Sequence, residues 1–226
     1  MEELPRLSAF TLTQEPRCGE RARRLLDGAR GKASAGSTRW RLGQRLREDV
    51  ALAHAERRVP TRRDFPTPTD LTSEEQAVYA AAAAGYLLLF GDAPAVAIDV
   101  PGRQVYDDLG IELAARAGVL VDTDDGTELR ILRTRGTQPR IEEQQFHTAA
   151  LFAPADRLPV RIVAADLLSL LTATATVDAE HVEPARQWLA DRVDTWRDAA
   201  ADNGYDQKDC FACTFVWDCR VHRGGR

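Results

Sequence analysis

Near its C-terminal end the chain reads Cys210-Phe-Ala-Cys213-Thr-Phe-Val-Trp-Asp-Cys219, which places three cysteines in the spacing C-x2-C-x5-C. The sequence holds 4 cysteines, and the remaining one, Cys18, lies far upstream. Three close thiols and one distant thiol can form a four-thiolate site, which zinc and iron–sulfur clusters both accept. Disulfides are disfavoured because a C-x2-C pair in a reducing compartment is more typical of a metal site. The spacing therefore predicts a metal or cluster site that uses all four cysteines.

The bulk composition is that of an ordinary folded chain. The 226 residues are 44% hydrophobic, and the apolar run Ala80–Phe90 falls well short of the roughly 20 residues that span a bilayer. The first residues lack a basic stretch followed by an apolar one, so we expect no secretory signal. The expectations are no membrane span and a cytoplasmic location.

The charge is unevenly distributed along the chain. Residues 1–65 contain 14 arginines and one lysine against nine acidic residues, a net charge of +6, whereas the whole chain carries −5. A basic N-terminal third could face a polyanion locally. The alternative is that these arginines lie on solvated helix faces beside acidic neighbours, since clustering in sequence is not clustering in space.

The hydrophobic pattern predicts one domain over 1–226 in three parts. They are a mostly helical part over about 14–92, a sheet core over about 93–170, and a C-terminal helix with the cysteine segment over about 178–222. The predicted helices are Arg17–Gly28, Trp40–Arg58, Ser73–Phe90, Ile141–Ala153 and His181–Asn203. The predicted strands are Ala95–Val100, Ile111–Ala117, Val119–Thr123, Thr127–Thr134 and Leu158–Leu170. Asp124-Asp125-Gly126 is typical of a hairpin turn, and helices around a central sheet indicate an α/β or α+β fold.

Several segments, taken in order, resemble one known family. Leu7–Leu12 with Pro16-Arg17-Cys18 is similar to an "LSxSxL…CPRRF" opening. Arg116–Val121, Asp124-Asp125-Gly126 and Leu129–Gly136 are similar to "GRxDxV…DG…xVxDxKTG". Glu143–Gln145 with Ala149–Leu151 is similar to "QxxxYAL", and the terminal helix and cysteine run from Trp188 to Cys219 complete the pattern. The chain thus resembles the iron–sulfur RecB-like nucleases of the PD-(D/E)XK superfamily, which include CRISPR-associated exonucleases and the nuclease domain of AddB.

The resemblance implies a fold and a cofactor. The fold would be a restriction-endonuclease-like α/β (α+β) core with a central mixed sheet flanked by helices. Cys18, Cys210, Cys213 and Cys219 would bind a 4Fe–4S cluster, with zinc as the alternative, and so join the N- and C-terminal segments. We call these four residues the cysteine clasp.

At the positions where the family has its catalytic residues, this chain has residues that cannot perform the same chemistry. Aligned by motif, the histidine position falls on Arg47, the two acidic positions on Gly118 and Leu132, and the lysine position on Thr134. Glycine and leucine cannot coordinate Mg²⁺ or Mn²⁺, which need oxygen ligands. The resemblance therefore implies a nuclease homologue without a catalytic metal ion and without cleavage activity.

Two alternatives to this loss of activity stay open at the level of sequence. Asp122, Asp124, Asp125 and Glu128 are nearby carboxylates that could serve as migrated metal ligands, although hairpin-turn chemistry explains the Asp-Asp-Gly sequence. His54 could be the histidine of the first motif, but it has no glycine four residues before it. A solvent-facing or packed helix histidine is the favoured interpretation.

The functional expectations follow from this combination of features. The chain would be an accessory subunit of a DNA repair, processing or defence complex, with a helicase or nuclease subunit as its protein partner. It would act by binding DNA, single-stranded or at ends, or as a scaffold. The arginines expected to contact phosphates are Arg17, Arg21, Arg24, Arg41, Arg45 and Arg47. The alternatives are an active metal-dependent exonuclease, an iron–sulfur redox sensor and a pure protein–protein scaffold.

Overall fold

The computed structural model describes residues 4–12, 16, 18–27, 38–99, 102–115, 118–202 and 219. In chain order the helices are α1 (Ala9–Leu12), α2 (Gly19–Leu26), α3 (Thr38–Ala53), α4 (Ser73–Phe90), α5 (Glu143–Phe152) and α6 (Val182–Ala201). The strands are β1 (Arg6–Ser8), β2 (Ala95–Ile98), β3 (Arg103–Tyr106), β4 (Ile111–Ala114), β5 (Val119–Thr123), β6 (Gly126–Arg133), β7 (Val160–Asp166) and β8 (Leu171–Val177). The fold is therefore mixed α and β, as the sequence pattern predicts.

The chain forms two compact units. The first comprises Met1–Ala35, Pro101–Arg116 and Glu183–Arg226, and the second comprises Gly36–Val100 and Ala117–Val182. The first unit contains a three-stranded sheet in the order β1-β4-β3, with β1 parallel and β3 antiparallel to β4. The predicted strand at Ile111–Ala117 thus exists as β4, but it pairs in this small sheet and not in the larger one.

The second unit is built on a five-stranded sheet in the order β2-β5-β6-β7-β8. Neighbouring strands are antiparallel except β6 and β7, which are parallel and are connected through α5. A parallel pair needs such a crossover because the chain must return to the same end of the sheet. The sheet is mixed and has helices packed against it, which agrees with the predicted central mixed sheet.

One face of this sheet packs against α3 and α4. The core there joins apolar residues of both helices to alternate residues of the strands, including Val119, Val121, Leu132, Val163 and Ala165. Helix α4 begins with a capping box in which Thr72 and Glu75 satisfy each other's backbone N–H groups. Gly85 allows α4 to pack closely against the backbone at Leu167, because an added Cβ at Gly85 would lie 2.0 Å from the Leu167 carbonyl oxygen.

Some predicted elements are confirmed and others are wrong. The strand Val119–Thr123 and its Asp-Asp-Gly hairpin turn are confirmed, since Thr123 pairs with Gly126. The predicted strand Leu158–Leu170 is too long, because β7 ends at Asp166 and a turn leads into β8. The sequence pattern predicts no strand at β1, β3 or β8. The described part of the chain contains no helix that is both long and apolar enough to cross a membrane.

Candidate functional site

The first unit brings the N-terminal cysteine to the end of the last helix. Gly19 begins α2 directly after Cys18, and a Cβ at Gly19 would lie 1.8 Å from the Asp202 carbonyl oxygen. Only glycine permits so close an approach of two backbones. Arg23 supports the contact because its Nη2 donates to the Ala200 carbonyl oxygen at 3.1 Å. The start of α2 is thus held against the last turn of α6, the helix that leads to the other three cysteines.

The two described members of the cysteine clasp are compatible with thiolate ligands. Cys18 is half-buried, Cys219 is 6% exposed, and neither forms a disulfide within the described residues. Cys18 occupies the N-cap position of α2, and its side chain makes no capping hydrogen bond. Cys210 and Cys213 lie outside the described residues, so the four-thiolate ligand set stays a prediction.

Gly118 stands immediately before β5, at the first acidic position implied by the resemblance. A Cβ there would lie 2.3 Å from the Arg130 carbonyl oxygen and 3.3 Å from Cδ1 of Leu129. The close atom belongs to the backbone of β6, so no change of rotamer relieves the contact. An aspartate therefore does not fit at this position unless the strand moves.

Leu132 carries the second acidic position, and it lies on the opposite face of the sheet. Leu132 is buried with Val119 and Val121 against α3 and α4. Successive strand residues point to opposite faces, so Gly118 points away from this core, towards the side of Leu129. The structure does not bring the two positions together. A one-residue shift of the alignment would put Val119 on the face of Leu132, and this residue offers a metal no oxygen either.

The positions expected for the lysine and the histidine are also unsuited to nuclease chemistry. Thr134 follows β6 and is half-buried, and Arg47 is half-buried in α3. His54, the alternative histidine, lies just after α3 and is fully buried. Of the two favoured interpretations, a packed histidine is correct and a solvent-facing one is wrong, and His54 lies after the helix and not within it.

His54 belongs to a buried polar network that sequence reasoning did not foresee. Its Nδ1 lies 3.1 Å from the Ala95 carbonyl oxygen, and its Nε2 lies 2.8 Å from the Tyr86 hydroxyl. A carbonyl only accepts, so Nδ1 carries the proton and the Tyr86 hydroxyl donates to Nε2. Nη1 of Arg130 in turn donates to the same hydroxyl at 2.7 Å. The histidine is thereby fixed as a neutral acceptor.

The charge of Arg130 is balanced inside the protein. Its Nε donates to Glu128 at 2.9 Å, and the two side chains are 5% and 6% exposed. Arg161 also pairs with Glu128. Burial lowers the pKa of His54, an effect strengthened by the charge of Arg130, although the Ala95 hydrogen bond opposes it. Burial raises the pKa of Tyr86 to about 12. The charged and polar groups of this network are thus paired with one another inside the protein, and the network has a structural role.

The carboxylates proposed as migrated ligands are mostly engaged with arginines. Asp122 accepts from Arg157 at 3.0 Å, and Asp124 accepts from Arg57 at 2.8 Å. Glu128 is held between Arg130 and Arg161 as described above. Asp125 lies exposed in the hairpin turn. This arrangement does not resemble a cluster of free carboxylates that could bind a divalent cation.

The arginines expected to bind DNA are distributed between the two units. Arg24 donates to Glu20 at 2.8 Å, and the guanidinium of Arg21 lies 5.9 Å from the centre of the Trp196 ring. On α3, Arg41 and Arg45 are exposed and make ion pairs with Glu75 and Asp49, at 3.4 and 3.2 Å respectively. Arg17 lies outside the described residues. Arg24, Arg41 and Arg45 are therefore partly neutralised by neighbouring carboxylates.

Asp166 is a buried carboxylate that the sequence analysis missed. It ends β7, is 0% exposed, and accepts hydrogen bonds from the backbone N–H groups of Arg135, Gly136, Leu168 and Ser169. Burial raises the pKa of Asp166, but these hydrogen bonds outweigh it and the net shift is downward. The spacing Asp-x-x-Ser, typical of a side-chain-closed turn, was the available signal.

One group among the described residues has the composition of a metal site. Oxygen or nitrogen atoms of Asp178, Glu180 and His181 lie within 4.8 Å of one another. The group is explained by helix capping, because Asp178 accepts from the Glu180 backbone and pairs with the His181 ring at 2.7 Å. We assign it no ligand.

The comparisons with known proteins leave the family open. No family model matches the chain, and no curated protein matches it.

Proposed function

We propose that this protein is a catalytically inactive homologue of the iron–sulfur RecB-like nucleases, retained as a scaffold subunit of a DNA-processing complex. The proposal rests on the residues found at the two positions where the family has its acidic metal ligands. Gly118 has no room for a side chain, and Leu132 is buried among apolar residues. The positions that should hold a divalent cation therefore offer it no oxygen.

The order of elements supports a PD-(D/E)XK-like core. In the resemblance, the two acidic positions fall on consecutive strands and the "QxxxY" position falls on the helix that follows. In this chain those segments are the neighbouring strands β5 and β6 and the helix α5, which leads to the parallel strand β7. Gln145 lies on α5 and accepts a hydrogen bond from Arg133 at 2.8 Å.

The cysteine clasp would be the element that holds this scaffold together. Cys18, Cys210, Cys213 and Cys219 would hold a 4Fe–4S cluster, and the donor set fits such a group. Binding free energy at a site that forms only in the folded chain becomes folding free energy. The contact of Gly19 with α6 supports this role because it places Cys18 beside the helix that leads to the other ligands.

A cleavage assay tests the proposal directly. Cluster-loaded protein is incubated with end-labelled single- and double-stranded DNA in Mg²⁺ and in Mn²⁺, with an active RecB-like nuclease as the positive control. We expect no product. Mn²⁺-dependent cleavage that Asp122→Asn or Asp125→Asn abolishes would overturn the proposal in favour of an active enzyme with migrated ligands.

DNA binding without cleavage is the second candidate function, favoured by the net charge of +6 over residues 1–65. Its test is the affinity for a single-stranded oligonucleotide at several salt concentrations, since phosphate contacts give a steep salt dependence. Arg47→Ala should weaken binding and reduce the salt slope. If this variant leaves both unchanged, Arg47 is not a phosphate contact. The absence of any salt-dependent binding would favour the pure scaffold.

A further inference from the structure

Strand β8 is an edge strand of the larger sheet in the part of the chain that the structure describes. It pairs with β7 through seven consecutive residue pairs without a bulge, and it has no second neighbour in the described sheet. Its sequence, Leu-Thr-Ala-Thr-Ala-Thr-Val, contains no charge and no proline. Natural edge strands are usually guarded by charges, prolines or bulges because their free backbone groups attract other strands. Strand β8 has none of these three features, so its backbone groups are open to pairing with another strand.

An open groove runs beside the middle of this strand. It has a volume of about 660 Å³ and lies between β8 and the region around the start of α5. Ala173 and Ala175 form the strand side of the groove, and Pro139, Ile141 and Phe146 form the opposite side. The groove is therefore lined mainly by apolar side chains, next to a strand with free hydrogen-bonding groups.

We propose that the groove between β8 and α5 (the β8 groove) binds an extended segment of a partner protein, which adds to the sheet as a sixth strand. Main-chain hydrogen bonds to β8 would supply affinity, and alternate side chains of the segment would enter the groove. This inference rests on the scaffolding role of the proposed function, and it identifies the surface where the scaffold would bind its partner.

The size of the groove indicates the side chains that fit it. A second copy of this chain, paired symmetrically about Thr174, would place its own Ala173 and Ala175 over the groove, and these methyl groups are too small to fill it. Larger apolar side chains at alternate positions, such as valine, isoleucine or phenylalanine, are the complementary choice. The occupant is therefore a strand of a different protein.

The charge at the rim adds one further feature. Arg140 lines the groove, is exposed, and makes no ion pair with any residue that the structure describes. Glu143, on the same rim, has a carboxylate oxygen 3.5 Å from Nε2 of His147. A carboxylate in the bound segment would meet Arg140 and gain a charge-assisted hydrogen bond. We therefore expect an extended segment with alternating apolar residues and one acidic residue.

Peptide selection tests this inference. A phage-displayed library of random dodecapeptides is selected on the full-length protein and counter-selected on Ala175→Phe, which fills the groove. The enriched peptides should alternate apolar and polar residues and carry one acidic residue. They should bind Ala175→Phe about tenfold more weakly or worse. Ala84→Phe, a matched change at an exposed position of α4, should leave binding unchanged.

Exchanging the charges of Arg140 and of the acidic residue in the peptide tests whether these two groups are in contact. Arg140→Glu should weaken the selected peptide, and replacing the acidic residue of the peptide by lysine should restore binding to this variant. Arg135→Glu, at an exposed position outside the groove, is the control. Amide exchange of β8 should slow when the peptide binds.

Three results would overturn the inference. They are no enrichment on the wild-type protein, equal binding to Ala175→Phe, and self-association of the chain that Ala175→Phe abolishes, which would make a second copy the occupant. Iron content and lack of cleavage are measured on the same samples. A cluster-loaded, non-cutting protein that selects no peptide would keep the proposed function and remove only the β8 groove.

Discussion

Replacing Gly118 by alanine tests directly whether the first acidic position has space for a side chain. The added Cβ would lie 2.3 Å from the carbonyl oxygen of Arg130 and 2.9 Å from its carbonyl carbon. Both atoms belong to the backbone of β6, which pairs with β5 on one side and β7 on the other. The strain cannot be relieved by rotating a side chain, so β5 and β6 must separate locally.

The expected cost is that of overpacking a well-packed region. Such substitutions lower the free energy of unfolding by about 1–3 kcal/mol. For a chain of this size, each kcal/mol corresponds to a fall in melting temperature of about 2–4 °C. Urea unfolding followed by far-ultraviolet circular dichroism measures the change. Gly118→Asp should cost at least as much, since it adds a charged group to the same contact.

Gly43→Ala is the matched control, because the same methyl group is added where space exists. Gly43 lies within α3, and the nearest atom to an added Cβ is Nη1 of Arg47, at 3.8 Å. Alanine is a better helix former than glycine, so this change should raise the free energy of unfolding by about 0.5–1 kcal/mol. If Gly118→Ala leaves the urea midpoint unchanged or raises it, the argument that this position has no room for aspartate is wrong.

Three other predictions concern the contacts around the site. Gly19→Ala should separate α2 from Asp202 and lower the amount of iron that the purified protein holds, as measured by a colorimetric iron assay. Glu128→Gln should lower the free energy of unfolding by about 3–5 kcal/mol, because it leaves the buried guanidinium of Arg130 without its charge partner; an unchanged urea midpoint would contradict the buried pair. The pKa of His54 is lowered in the folded chain, mainly by burial, so the unfolded chain gains a proton at a higher pH, below about 6.5. Stability should therefore fall as pH drops through that value, by up to about 1.4 kcal/mol per pH unit, and His54→Gln should show a shallower dependence in unfolding at several pH values.

The sequence predicts those parts of the fold that local chemistry determines. The Asp124-Asp125-Gly126 turn and the strand before it follow from turn preferences and from a run of branched residues. Strand β8 escaped prediction because its alternation of threonine and alanine gives only a weak hydrophobic signal. Its strand conformation depends on pairing with β7, which only the tertiary fold supplies.

The candidate site likewise has some features that the sequence predicts and others that depend on the tertiary fold. The loss of oxygen ligands at Leu132 is visible in the sequence, since leucine has none to offer. That Gly118 and Leu132 lie on opposite faces of the sheet depends on the strand register, which no motif contains. The burial of Glu128 and Arg130 was likewise unpredictable, because charged residues in a strand usually face solvent. Only the convergence of Tyr86 and Arg161 on this pair satisfies them inside the protein.

The metal content of the protein purified without oxygen tests the account most directly. The cysteine clasp should hold about four iron atoms and four sulfides per chain, with a brown colour that bleaches on oxidation. Cys18→Ser should lose most of the iron, because it removes one of the four ligands. A colourless protein that holds one zinc ion per chain, or no metal, would contradict the iron–sulfur clasp and the family resemblance that depends on it.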